Sequence, residues 1–217
     1  MDLNRKHRHC FILLAVLFLH TALPLGAQKV KVDSLARLLE KESSDTGKVR
    51  LMWMMARDMN KYDPDSALSI AQQALYLARN SNYAEGESRS LGILANTFMK
   101  IGNYPKALEL NFQKLQLEEK RKVSYNLASV LMNIGIVYAL QEEYRNALQY
   151  YSKADSLIKS DSIKSLRFNI ALNIGDTYNR LQVADSAYLF FNSSLQYARE
   201  EQHTENMGIA LTGLGHS

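Results

Sequence analysis

The stretch "NIGIVYALQEEYRNALQYYSKA", Asn133 to Ala154, is answered forty residues later by "NIGDTYNRLQVADSAYLFFNSS", Asn173 to Ser194. Both keep an Asn-Ile-Gly, a Tyr three residues after the Gly and an Ala twelve after it, while most other letters change. A fixed interval of this length marks a repeat architecture. Sliding the sequence by forty extends the register to four blocks. Ala67, Ala107, Ala147 and Ala187 form one column, and Met55, Ala95, Gly135 and Gly175 a second. Phe98, Tyr138 and Tyr178 form a third, and Leu68, Leu108, Leu148 and Tyr188 a fourth.

Within a block the apolar residues recur at intervals of three and four. Leu131, Ile134, Gly135 and Tyr138 share one face, and Tyr144, Ala147, Leu148, Tyr151 and Ala154 share another. That is helical periodicity twice over. Breakers separate the two segments: Asp63-Pro64, Gly102-Asn103 and Glu142-Glu143. Asp63 is placed to cap a helix whose first residue is Pro64. Each block therefore predicts an antiparallel helical hairpin. A Gly on one helix and an Ala on the other let the backbones approach, with aromatics filling the space beside them. One hairpin buries only part of its apolar surface, so each stacks on the next. The expected fold is all-α, a right-handed α-solenoid with no β-strand.

These residues resemble the tetratricopeptide repeat family across nearly all of the chain after its leader. The resemblance rests on Leu94, Ala95, Phe98, Gly102, Tyr104, Ala107 and Leu108, then on Ile134, Gly135, Tyr138, Tyr144, Ala147, Tyr151 and Ala154, and on Ile174, Gly175, Tyr178, Ala187, Phe191 and Leu195. The first block departs from it at Met55 and Asp58 but keeps Leu51, Met54, Ala67, Ala74 and Leu75. A period of forty resembles the longer-helix subclass of bacterial signalling regulators and kinesin light chains. "DSLARLLEKESSDTGKVRLMWMMARDM", Asp33 to Met59, is also similar to the opening of extracytoplasmic repeat domains in bacterial sensor histidine kinases and membrane-bound helix-turn-helix regulators.

Residues 1–27 read as a secretory signal peptide: Arg5, Lys6 and Arg8 precede an apolar run from Cys10 to Leu19, and Leu25-Gly26-Ala27 offers a cleavage site before Gln28. The expected location is exported, periplasmic or extracytoplasmic, with inner-membrane anchoring of a longer protein as one version. Cys10 is the single cysteine, so the cleaved chain would hold no disulfide and no thiolate metal site. Of 26 basic and 22 acidic residues the leader takes three and one, leaving a net charge of +2. With no basic stripe, the reading excludes nucleic acid as a partner of this region, and no membrane contact is expected beyond the leader. The remainder divides into a capping helix at 28–46, repeats at 47–86, 87–126, 127–166 and 167–206, and the start of a fifth at 207–217. The incomplete fifth copy is expected to be either the edge of a longer protein or a stub packed on the fourth hairpin as a cap.

The residue pattern signals no enzyme, no cofactor and no metal site. His203 and His216 read as exposed bystanders, "EEKRK" at Glu118 to Lys122 as a solvated helix end, and Met52, Met54, Met55 and Met59 beside Trp53 as core filling. Phe191, in register with Tyr151, reads as core, and Phe190 is left for a partner. The resemblance implies a concave groove formed by the first helix of each hairpin. Its ligand-facing places map onto Arg89, Asn96, Met99 and Lys100, onto Ser129, Met132, Asn133 and Ile136, and onto Asn169, Asn173, Asp176, Asn179 and Arg180. Side-chain amides at Asn96, Asn133 and Asn173 can donate to and accept from an extended peptide at once. They serve equally as links between neighbouring helices. The expected function is an exported scaffold binding a protein or peptide, as the input part of a bacterial signalling protein or as a structural assembly factor. Both a monomer and a homo-oligomer stay open.

Overall fold

Helix ends in this chain are set by small polar caps and by backbone that turns left-handed at a regular interval. Ser44, Asp63 and Asn103 each accept a hydrogen bond from an amide three residues ahead, and Pro64 follows Asp63 as the first helical residue. At the opposite ends, Asn82, Gly102, Glu142, Gln182 and Gln202 all adopt positive φ. The amide after each reaches back five residues, as in Tyr83 to Ala78, Asn103 to Phe98, Glu143 to Tyr138 and Val183 to Tyr178, at 2.8–2.9 Å. Only Gly102 is free of the side-chain penalty that this backbone carries.

The computed structural model describes residues 30–158 and 164–215. The expected signal peptide and cleavage site, and His216, lie outside them. Helix α1 covers residues 30–41, followed by α2 (Asp45–Met59), α3 (Pro64–Asn80), α4 (Ala84–Lys100), α5 (Tyr104–Arg121) and α6 (Ser124–Leu140). The order continues with α7 (Tyr144–Leu157), α8 (Lys164–Arg180), α9 (Ala184–Glu200) and α10 (Thr204–Leu214). No strand occurs among the described residues. The starts of α4, α6, α8 and α10 are forty residues apart.

The chain forms two compact units, one ending at Ile93 and one beginning at Leu94, so the division falls inside α4. In the first unit α1 docks on the α2–α3 hairpin through Val32 and Leu35, which bury with Met55 and are flanked by Met54, Met59 and Ile70. The methionines fill core here. Asp58, nearly buried, holds Lys31 of α1 at 3.0 Å and its neighbour Arg57 at 3.2 Å. Burial pushes the Asp58 carboxyl up, but the hydrogen bonds from Lys31 and Arg57 outweigh it and hold its pKa below the ordinary value.

In the second unit the α6–α7 and α8–α9 hairpins stack in the manner of an α-solenoid around Ala128, Leu131, Ala147, Tyr151, Ala154, Leu166, Ile170 and Ile174. The alanine column is fully buried at Ala67, Ala107, Ala147 and Ala187. A Cβ on Gly135 would lie 2.5 Å from the Tyr151 ring and 3.1 Å from the Ala147 carbonyl, so its absence is what lets α7 lie against α6. Gly175 repeats the arrangement against Phe191 at 2.8 Å.

Three readings are corrected. Glu118 is fully buried, with its carboxylate accepting from Arg121 at 2.6 Å and from Asn126 at 3.1 Å, so "EEKRK" carries the link from α5 to α6. Phe190 stacks on Tyr178 with centroids 5.7 Å apart, so it fills the hairpin. His203 Nδ1 accepts from the Asn206 amide at 3.2 Å and caps α10.

Candidate binding groove

The site is built by first helices lying side by side: α6, α8 and α10. Tyr151 comes from α7, yet its ring crosses the bare backbone at Gly135, and its hydroxyl pairs with the Thr177 hydroxyl on α8. Burial drives the phenol's pKa upward, with the Thr177 hydrogen bond opposing. Thr177 in turn donates to the Asn173 carbonyl at 2.7 Å. Tyr151 thereby floors a cleft of about 240 Å³ between α6 and α8. Ile136, Ala139 and Leu140 form its α6 wall, and Asn173, Asp176 and Arg180 its α8 wall. Glu142 closes one end.

A second cleft of about 350 Å³ lies between α8 and α10. Its floor is Phe191, forty residues after Tyr151. Leu172, Asn173, Asp176 and Asn179 line one side, and Ile209, Thr212 and Gly213 the other. The Phe191 ring is held between two glycines, since a Cβ at Gly213 would come within 2.6 Å of it and one at Gly175 within 2.8 Å. Asp176 and Asn179 stand forty residues after Ile136 and Ala139, and Gly213 forty after Asn173. The two clefts are successive copies of one design.

Asn173 and Asp176 line both clefts. Asp176 accepts from Arg180 at 3.0 Å, one turn along the helix. The Asp176 hydrogen bond and charge, joined by the Tyr144 hydroxyl, hold the Arg180 pKa above its ordinary value, so the guanidinium stays charged. The first cleft therefore carries one neutralised carboxylate, Asp176, and a second, Glu142, on the left-handed turn of the α6–α7 loop.

Of the places mapped from sequence, Ile136, Asn173, Asp176 and Arg180 meet at the first cleft, and Asn173, Asp176 and Asn179 at the second. Ser129, Met132 and Asn133 are half-buried on α6, and Asn96, Met99 and Lys100 lie in the last turns of α4, but none lines either cleft. Asn169 turns its amide back to the Ser165 carbonyl at 2.9 Å. Arg89 belongs to the first unit, where its guanidinium covers Trp53 at 5.5 Å and meets Glu85 at 3.6 Å. Sequence reasoning missed the floors, Tyr151 and Phe191, because register marks them as core, and it missed Glu142, which it read only as a breaker. Among the described residues no group of His, Cys, Asp and Glu is placed to hold a metal ion, and no helix is long and apolar enough to cross a membrane.

No family model matches the chain, and no curated protein matches it. Solved structures do. A Rap protein complexed with competence and sporulation factor superposes with a TM-score of 0.77 at 15% identity, covering 84% of this chain and 52% of its own. The apo form of the quorum sensor NprR from B. thuringiensis gives 0.66 at 16% identity, covering 95% of this chain and 64% of its own. A P. anserina kinesin light chain with TPR-like repeats gives 0.63 at 14% identity, covering 82% and 90%. The chain spans about half the length of the Rap structure and most of the kinesin light chain. By fold, the chain is a tetratricopeptide-like helical repeat protein.

Proposed function

We propose that the α6–α8–α10 groove captures an extended segment of a partner protein or a peptide, and that the chain acts by binding without making or breaking a covalent bond. The observation that carries this reading is Asn173. Its side chain lines both clefts, and its amide makes no hydrogen bond among the described residues. An amide so placed can donate to one backbone group of an extended ligand and accept from another. The similarity to a Rap structure complexed with competence and sporulation factor supports a ligand on this kind of scaffold.

The finer reading is an exported input region of a signalling protein. It is motivated by the basic, apolar and small-residue order of residues 1–27 and by the likeness of Asp33 to Met59 to extracytoplasmic repeat domains. The test is a selection of random dodecapeptides on the immobilised chain, followed by titration of the enriched peptide. Replacing Asn173→Ala is expected to weaken binding about tenfold, the worth of one or two backbone hydrogen bonds. Binding unchanged by Asn173→Ala would place the ligand elsewhere. Export is tested separately, by whether the chain recovered from cells begins near Gln28.

A further inference from the structure

The two clefts share one design but differ in chemistry, and we infer that the groove selects a segment carrying a cationic side chain about three residues from an apolar one. This rests on groove capture as proposed above. In the first cleft the Asp176 charge is met by Arg180, whereas the Glu142 carboxylate, on the exposed turn at the cleft's end, has no ion pair among the described residues. One carboxylate is therefore left to a ligand, and charge complementarity calls for Lys or Arg. The Arg180 charge is already shared with Asp176 and the Tyr144 hydroxyl, so Glu142 is the charge of this cleft with no counter-ion among the described residues.

The second cleft shares Asp176, already paired with Arg180, but has no second carboxylate, and Phe191, Leu172 and Ile209 give it an apolar floor and walls. Its position corresponding to Asn173 is Gly213, so no side chain covers the Phe191 edge of α10, and Ile209 is 43% exposed beside it. An aliphatic or aromatic side chain would find Ile209, Leu172 and Phe191 there. Neighbouring helices pack about 8–10 Å apart. A polyproline-type strand advances about 3.1 Å per residue and brings every third side chain to one face. Three residues of ligand thus carry one side chain to each cleft, with Asn173 between them to meet the backbone.

The experiment is the same dodecapeptide selection run on the unaltered chain, on Glu142→Lys and on Ile209→Ser, each first shown to keep its helical circular dichroism. The expected result is enrichment of Lys or Arg three positions from an apolar residue. On Glu142→Lys the basic preference should vanish or turn acidic, and on Ile209→Ser the apolar preference should fade while the basic one stays. Titration of the enriched peptide against Glu142→Gln should show about tenfold weaker binding, with a shallower salt dependence. Peptides that enrich, lose binding on Asn173→Ala and show no basic preference would overturn this inference and leave groove capture standing. No enrichment, or enrichment indifferent to both Asn173 and Glu142, would overturn both.

Discussion

The first hairpin and the last two solve one packing problem with opposite residues. In α2–α3, Met55 and Ala71 occupy a register pair sixteen residues apart, large on the first helix and small on the second, and both are buried. In α6–α7 the same pair is Gly135 and Tyr151, and in α8–α9 it is Gly175 and Phe191, small on the first helix and large on the second. What the repeat conserves is combined volume across the hairpin, as expected where cores tolerate exchange that preserves total packing. The choice has a functional consequence. A large residue on the second helix reaches through to the far face of the first, and there Tyr151 and Phe191 floor the two clefts. Met55 does the reverse and points its bulk into the α1 docking core.

The largest expected effect comes from breaking the later solution. Tyr151→Ala removes a fully buried ring and its link to Thr177, and should cost about 3–5 kcal/mol in urea denaturation followed by circular dichroism. Placing the first hairpin's solution in the third, as Gly135→Met with Tyr151→Ala, sharpens the comparison. Gly135→Met alone drives a side chain into the ring and should cost about 1–3 kcal/mol. The double variant should be at least about 1 kcal/mol more stable than the two single losses would give if they added. Strict additivity would show that the two pairs are not interchangeable. Peptide capture should be lost in the double variant even where stability returns, because the floor of the first cleft is gone.

A second contrast concerns charge. The first unit fastens α1 through Asp58, whose folded pKa is held down by Lys31 and Arg57 although burial works against them. A depressed carboxyl contributes stability above its unfolded pKa of about 3.9 and loses it as pH falls through the folded value. Acid should therefore release α1 before the hairpins of the second unit, seen as early loss of amide protection between residues 30 and 41. Asp58→Asn should remove that acid step and cost about 1–2 kcal/mol at neutral pH, because Lys31 loses its partner.

How far the molecule was legible follows from what a period can carry. A forty-residue repeat marks positions that every copy uses alike. The alanine column, the glycines at 135 and 175, the Asp63 cap with Pro64 and the hairpin order were all readable, because each is fixed by neighbours within one hairpin. Three kinds of feature were not. Asn169 and His203 turn to backbone three or four residues away, a local choice with no signature at the scale of the repeat. Glu118 stands in a column whose other members, Ala78, Ile158 and Ala198, are apolar, and only the partners Arg121 and Asn126 explain a carboxylate there. The clefts need three first helices and two second-helix rings at once. The asparagine on their shared wall was visible, while the rings beneath it read as core.

The second hairpin, α4–α5, offers the smallest and most discriminating test. Here the register pair is Ala95 and Asn111, small against polar, so the place held elsewhere by Tyr151 and Phe191 is taken by an amide. Asn111 is 1% exposed and its Oδ1 has no hydrogen-bond partner among the described residues. A buried acceptor left unpaired costs its full desolvation, whereas an apolar side chain of similar size incurs none of that cost. If volume is what the pair conserves, Asn111→Leu should raise stability by about 1 kcal/mol, and Asn111→Ala, which leaves the volume unfilled, should lower it. If Asn111→Leu destabilises as much as Asn111→Ala, the amide itself is required at this hairpin, and combined volume ceases to be the rule that joins the four copies.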